Sequence, residues 1–168
     1  MTLAIEDLRF AVTDVRQRHQ NLFDLIQSGA RQALGVLQLY IALAVASLSG
    51  SAVILLSPAN ALPRPIGIGL SGFAAAIVAG AICALIVMWP GKIRLAGRDP
   101  EFWQWADRSD VTPEHAFRAY LAAVAENLEI NRKLNDRMAV AMLSAKCAGA
   151  GAPLIGAACG LLSLLAGV

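Results

Sequence analysis

Three long apolar stretches without a charged residue dominate the hydrophobic pattern of this chain. They cover residues 33–56, 66–89 and 147–168, which are 24, 24 and 22 residues long. A helix needs about 20 apolar residues to cross a hydrocarbon core of about 30 Å. Because the backbone inside lipid must satisfy its own hydrogen bonds, such stretches favour helices. The pattern therefore predicts an all-α membrane protein, with a helical hairpin, a third apolar C-terminal helix and long cytoplasmic helices.

The breaks between the stretches carry turn-forming residues. Residues 57–65 hold three prolines and an asparagine, and Trp89 is followed by Pro90, Gly91 and Lys92. These residues end helices and suit the membrane interface. The third stretch is rich in Gly and Ala and contains Pro153. A full span, a re-entrant helix and a packed half-span all fit its composition.

The N-terminal arm shows a heptad pattern that predicts one long helix running directly into the first apolar stretch. This seam suits either a coiled coil between subunits or docking on the later cytoplasmic helix. Its one polar member, His19, fits a position that sets register or oligomeric state better than a pH sensor or a ligand contact. The seam consists of Ile5, Leu8, Val12, Val15, His19, Leu22 and Ile26.

A second cytoplasmic helix is predicted from Pro113 to about Lys146, because Thr112 is a good N-cap and Pro113 suits the first turn. Asn127, Asn131 and Asn135 form a row along it at a spacing of four. The row could line a vestibule, bind a nucleobase or bond across subunits; a solvated or partner-bonded polar patch is the simpler interpretation. The predicted organisation is a coiled-coil-like helix (1–32), a transmembrane hairpin (33–91), a linker with an amphipathic helix (92–146) and a third membrane segment (147–168).

The linker after the second stretch combines aromatic and basic residues. Phe102, Trp103 and Trp105 fit interfacial anchoring, which is the simpler interpretation. The alternative is an aromatic platform beside arginines that stacks on a nucleotide and neutralises it. With the Asn row, this gives a set of candidate ligand-binding residues: Arg94, Arg98, Trp103, Arg108, Asn131, Arg132 and Asn135.

The distribution of charge predicts topology. The chain is 57% hydrophobic and 15% charged, with a net charge of +2 that is too small to indicate nucleic-acid binding. Nine basic residues lie in 92–146, four precede the first stretch, and the hairpin turn has only Arg64. By the positive-inside rule, the N-terminus and the 92–146 region are cytoplasmic.

Small residues recur at a spacing of four in each stretch, which allows close helix packing within or between subunits. We expect a homo-oligomer in membrane lipid in which the first stretch lines a pore, with Gln38 and Ser47 as its polar positions. Hydrogen bonding between helices is the alternative, and more common, role of an amide such as Gln38. The small-residue rows are Ala42, Ala46 and Gly50, then Gly72, Ala76, Gly80 and Ala84, then Ala152, Gly156 and Gly160.

Motifs for catalysis, nucleotide-phosphate loops and metal binding are missing from the sequence. We therefore expect no enzyme activity, no cofactor and no metal site. Cys83, Cys147 and Cys159 lie in or beside apolar stretches, where buried structural thiols are the expected state.

The layout resembles SLATT-type and Pycsar-effector-type membrane effectors of bacterial phage defence. The matching pieces are Arg31, Gln32 and Ala33 ahead of the first stretch, and Tyr120, Leu121, Asn131, Leu134 and Lys146 ahead of the third. The resemblance implies an oligomeric channel in the bacterial inner membrane. Its gate would answer a nucleotide or oligonucleotide signal from a partner nucleotidyltransferase.

Two other functions fit the same pattern. One is a non-conducting membrane scaffold that recruits a cytoplasmic partner through its helices. The other is a holin-like lysis protein, although long cytoplasmic helices fit that function less well.

Overall fold

Four α-helices make up the computed structural model, which describes residues 5–57, 62–89, 91–95 and 98–167. They are α1 (Ile5–Leu56), α2 (Arg64–Met88), α3 (Pro100–Ala106) and α4 (Pro113–Ala166). No strand occurs in the described ranges. Helices α1, α2 and α4 are long and apolar enough to cross a membrane. The predicted all-α fold class is confirmed.

The helix boundaries follow the sequence signals except at the start of α2. The N-terminal arm and the first apolar stretch form the single helix α1, as predicted. Helix α2 begins at Arg64, two residues earlier than predicted, because Pro65 is tolerated in a first turn whose N–H groups lack partners. The predicted turn residues 58–60, and Pro90 after α2, lie outside the described residues.

The linker holds a short helix, α3, that the sequence analysis missed. Its signal is Asp99 in an extended conformation, followed by Pro100 and Glu101 in the first turn. Helix α4 continues without a break past Pro153 to Ala166. The third apolar stretch is therefore one continuous helix from Cys147 to Ala166.

The chain divides into two compact units, and α1 and α4 each contribute to both. The first unit takes the described residues of Met1–Ser28 and Pro90–Arg137. The second takes those of Gly29–Trp89 and Met138–Val168 and contains the apolar stretches.

Glycines bring α2 and α4 into backbone contact in the second unit. A methyl group on Gly69 would lie 2.9 Å from the carbonyl oxygen of Gly156, and one on Gly156 would lie 2.9 Å from that of Gly69. One turn further, a methyl group on Gly72 would lie 2.6 Å from Sγ of Cys159. Only hydrogen fits at these positions, so dispersion contacts between two backbones hold the helices together.

Tyr40 of α1 occupies a slot between glycines of the other two helices. A methyl group at Gly80 would lie 2.6 Å from its ring, and one at Gly149 would overlap its hydroxyl. The hydroxyl donates to the carbonyl oxygen of Ala145 at 2.8 Å. Ser51 likewise donates to the carbonyl oxygen of Gly67 at 2.7 Å. These buried hydroxyls therefore have hydrogen-bond acceptors within the apolar unit, which avoids the penalty for burying an unpaired polar group.

The small-residue rows differ in burial between the helices. Ala76, Ala84 and Ala152 are buried inside the second unit, together with Gly80 and Gly156. Of the row on α1, Ala42 and Ala46 are exposed, because α1 turns Tyr40, Ala44 and Ser47 inward instead. The rows of α2 and α4 therefore serve packing within the chain, and most of the α1 row is left on the surface.

Replacing Gly156 with Ala is expected to lower the free energy of unfolding by about 1–3 kcal/mol, because the new methyl group meets backbone that must shift. Thermal unfolding of the detergent-solubilised protein, followed by circular dichroism, measures the change. Gly151→Ala on the same helix is the matched control, since no neighbouring atom lies within 4 Å of the place its methyl group would take. Equal melting temperatures for the two variants would contradict the close crossing.

Candidate functional site

The first unit is held together by an apolar cluster between the N-terminal part of α1 and α4. Val12, Tyr120 and Val124 are buried at its centre, and Phe102 and Phe117 pack against them. Of the predicted seam, Leu8, Val12, His19 and Ile26 are buried, Val15 and Leu22 are half-buried, and Ile5 is exposed. The seam thus packs within the chain, which was the second alternative; its use between subunits stays a prediction.

A polar clasp, formed by His19, Arg94 and Asn131, joins three segments of the first unit. The backbone N–H of Arg94 donates to Oδ1 of Asn131 at 3.0 Å, and Nδ2 of Asn131 donates to the carbonyl oxygen of Arg94 at 2.7 Å. The same carbonyl oxygen lies 2.7 Å from Nε2 of His19. Asn131 is fully buried and His19 is 3% exposed. One amide side chain therefore bonds both main-chain groups of Arg94, as a neighbouring strand would.

The clasp determines which ring nitrogen of His19 carries the hydrogen. A carbonyl oxygen can only accept, so Nε2 of His19 is the donor to Arg94. The 3.3 Å approach of Asn131 Nδ2 to His19 Nε2 then joins two donors and is a contact, not a hydrogen bond. Nδ1 of His19 is buried and has no hydrogen-bond partner among the described residues. His19 and Asn131 are thus engaged in holding the segment after α2.

A cavity of about 290 Å³ opens between α1, α3 and α4 of the first unit. We call it the aromatic cavity, because three aromatic rings form much of its wall. Its other side chains include one cation, one carboxylate and small apolar groups. The lining residues used below are Arg16, Trp103, Asp107, Ala116, Phe117 and Tyr120.

The cation of the aromatic cavity is positioned by Tyr120. Nε of Arg16 donates to the Tyr120 hydroxyl at 2.8 Å, and its guanidinium carbon lies 5.1 Å from the ring centroid. Tyr120 is 2% exposed, so this bond fixes Arg16 to a rigid wall. Because this bond uses Nε, the two terminal nitrogens of the Arg16 guanidinium can donate to another group.

Helix α3 supplies a second wall of the aromatic cavity. The Trp103 ring lies 6.0 Å from that of Tyr120, and Phe102 packs edge-on against Trp103 at 5.2 Å. Arg98 lies over the Phe102 ring at 4.9 Å. The backbone N–H of Asp107 donates to the carbonyl oxygen of Trp103 at 3.1 Å. Asp107 therefore lies one helical turn after Trp103, whose side chain is 49% exposed.

The predicted ligand-binding residues do not form one site. Trp103 lines the aromatic cavity, Arg94 and Asn131 form the clasp, and Arg98 covers Phe102. Arg132 and Asn135 line a separate depression, and the exposed Arg108 lines neither that depression nor the aromatic cavity. The sequence analysis missed Arg16, Asp107, Phe117 and Tyr120. Arg16 follows Val12 by four residues, and this helical spacing is the signal that could have identified it.

The two predicted pore-lining residues lie on opposite sides of α1. Gln38 is exposed and Ser47 is buried within the second unit. They are nine residues apart, which at about 100° per residue places them about 180° apart around the helix. A straight α1 therefore cannot present both side chains to one pore. Gln38 shares its exposed face with Gly35, Ala42, Ala46 and Ser49; we call these five residues the outer stripe.

Asn131→Ala is expected to destabilise the protein by about 1–3 kcal/mol, because it leaves the N–H of Arg94, whose hydrogen bond is part-buried, without its acceptor. Hydrogen exchange of the full-length protein should show faster exchange of that N–H. The half-buried Asn127, replaced in the same way, is the control and should leave the exchange unchanged. If both variants protect Arg94 as the parent does, the clasp is not a stabilising contact.

Comparisons with known protein families, with curated proteins and with solved structures find no match to this chain. The likeness to phage-defence effectors stays an expectation from the sequence. The function therefore has to be argued from the two features described above, the outer stripe and the first unit with its cavity.

Proposed function

We propose that this protein assembles in a membrane as a ring of subunits whose outer stripes face one another and line an ion-conducting pore. The observation that carries the proposal is the exposure of the Gln38 amide within a stretch that has no charged residue. An amide facing lipid has no hydrogen-bond partner, which is costly, whereas a neighbouring subunit or water supplies one.

Membrane insertion is supported by the surface of the second unit. Only 22%, 33% and 17% of the most hydrophobic windows of α1, α2 and α4 are buried within the chain. Large exposed side chains such as Leu39, Ile41, Leu154 and Leu161 cover the remainder. An apolar surface of this extent needs lipid or further protein to remove it from water. With basic residues concentrated in the first unit, the positive-inside rule orients that unit to the cytoplasm.

The outer stripe suits contact between copies of α1. Gly35 has open space where a side chain would stand, and Ala42 and Ala46 add only methyl groups. Small residues at these positions let copies of α1 pack around a narrow axis, and Gln38 and Ser49 then supply the polar groups that face this axis. The inward face of α1, by contrast, is occupied by Tyr40, Ala44 and Ser47. The inward face of α1 thus serves packing within the chain, and the outer stripe serves assembly.

The biological setting is proposed from the resemblance: a bacterial inner-membrane effector of phage defence that responds to a nucleotide made by a partner nucleotidyltransferase. The described residues support the nucleotide less than the pore. Asn131 and the backbone of Arg94 are already bonded to each other, and the remaining candidates are dispersed. A trigger acting on the first unit fits the fold, because α1 and α4 are shared by both units.

Membrane insertion and orientation are expected to show in bacterial cells expressing the protein. It should stay in the membrane pellet after alkaline extraction. In a variant whose native cysteines are replaced by alanine, Leu62→Cys should react with an impermeant maleimide from outside the cell. Ser109→Cys in the first unit is the control and should react only after permeabilisation. Recovery of folded protein in the supernatant without detergent would overturn insertion, and the reverse labelling would overturn the orientation.

Gln38→Leu is expected to reduce ion flux through proteoliposomes by about tenfold or more, because the polar group at the pore wall is replaced by an apolar one that favours dewetting. Gln32→Leu, the same change at an exposed position before the apolar stretch, is the matched control. It should leave flux near the parent value.

Cysteine cross-linking tests the assembly separately. In the same cysteine-free protein, Gln38→Cys should form disulfide-linked dimers on mild oxidation, whereas Ser47→Cys, on the opposite face, should not. Cross-linking at position 47 alone would overturn the stripe. Efficient assembly without flux under any condition would instead favour the non-conducting anchor.

A further inference from the structure

We propose that the aromatic cavity of the first unit is a binding site for a small aromatic zwitterion, that is, an aromatic α-amino acid. This proposal stands on the cavity itself and holds whether or not the protein conducts ions. Three properties of the cavity carry it: its size, its aromatic walls, and the presence of one cation and one carboxylate.

Size limits the occupant to one or two rings. The volume of about 290 Å³ is at the lower end of the range for small-molecule sites, about 300–1,000 Å³. A single aromatic amino acid fits within it, whereas an oligonucleotide or an extended peptide does not.

The walls select a flat ring. Trp103 and Phe117 come from different helices, α3 and α4. The Tyr120 ring lies 6.0 Å from that of Trp103 and is 2% exposed, so it supports the indole from inside the unit, and a ligand ring would stack on the open part of Trp103. Offset stacking on such a ring stabilises a bound aromatic group beyond the effect of the area buried. The 49% exposure of Trp103 means that one of the largest apolar surfaces in the unit is left uncovered. A ring in the cavity would cover part of it.

The charges select a molecule with both signs. Arg16 is fixed through Nε to Tyr120, so its terminal nitrogens are the donors left for a carboxylate. Asp107, one turn from Trp103, presents an acceptor that suits an ammonium group and opposes a simple anion. A simple cation is opposed by Arg16 in the same way. An aromatic amino acid carries both groups on one carbon beside its ring and satisfies both residues.

The test uses full-length protein in detergent in which Trp89→Phe and Trp105→Phe leave Trp103 as the reporter. The probe is 4-iodo-L-phenylalanine, whose heavy atom quenches indole fluorescence. Saturable quenching that L-phenylalanine reverses is expected. Competition by phenethylamine, 3-phenylpropionate and cyclohexylalanine, which lack the carboxylate, the ammonium and the aromatic ring respectively, should be weaker by about tenfold or more.

Two variants separate the roles of the charges. Arg16→Gln should weaken phenylalanine and 3-phenylpropionate but not phenethylamine. Asp107→Asn should weaken phenylalanine and phenethylamine but not 3-phenylpropionate. Arg18→Gln and Asp110→Asn remove the same charges at exposed positions outside the cavity lining and should change nothing.

A filled cavity gives the remaining control. Ala116→Leu should abolish saturable quenching, while Ala122→Leu, at an exposed position of α4, should preserve it. Circular dichroism and size-exclusion chromatography establish that each variant is folded. Quenching that persists in Ala116→Leu shows partition into detergent and overturns the site. Absence of saturable quenching in the parent does the same, and displacement by adenosine monophosphate but not by phenylalanine assigns the cavity to a nucleotide instead.

Discussion

Close approach of helix backbones through glycine is the constraint on which the apolar unit depends. Where Gly69 meets Gly156, no side chain separates α2 from α4. Tyr40 fills the remaining space between glycines and gives its hydroxyl to a backbone carbonyl. Because the small residues of α2 and α4 are consumed inside, the large aliphatic side chains point outward. The same packing that stabilises the second unit thus leaves an apolar surface long enough to cross a membrane.

That arrangement also decides which face of α1 stays exposed. Helix α1 has two unlike faces, one with Tyr40, Ala44 and Ser47 inside the unit and one with the outer stripe at the surface. A polar amide among exposed aliphatic residues is out of place in lipid but appropriate at a helix–helix contact or a water-filled axis. The pore proposal therefore follows from which face the intrachain packing leaves over.

In the first unit, residues 91–95 belong to no helix or strand, so their main-chain groups need other hydrogen-bond partners. The clasp supplies them from side chains, with Asn131 bonding both main-chain groups of Arg94. Buried polar contacts of this kind hold one register, because a slipped neighbour would leave the amide unpaired. Beyond the clasp, α3 lies against α1 and α4 and encloses the aromatic cavity, where Arg16 and Asp107 give a ligand two points of attachment.

The sequence by itself determined the three long helices, because charge-free runs of 22 to 24 residues have few other stable conformations and the N-cap residues mark the start of α4. It also identified a seam and a row of asparagines, since helical periodicity is local. Tertiary structure alone decided that Asn131 bonds Arg94 and that α3 turns Trp103 to a cavity with Arg16. It also decided that Ser47, rather than Gln38, faces the interior of the second unit. These outcomes join residues distant in sequence, and periodicity gives the face of a helix without its neighbour.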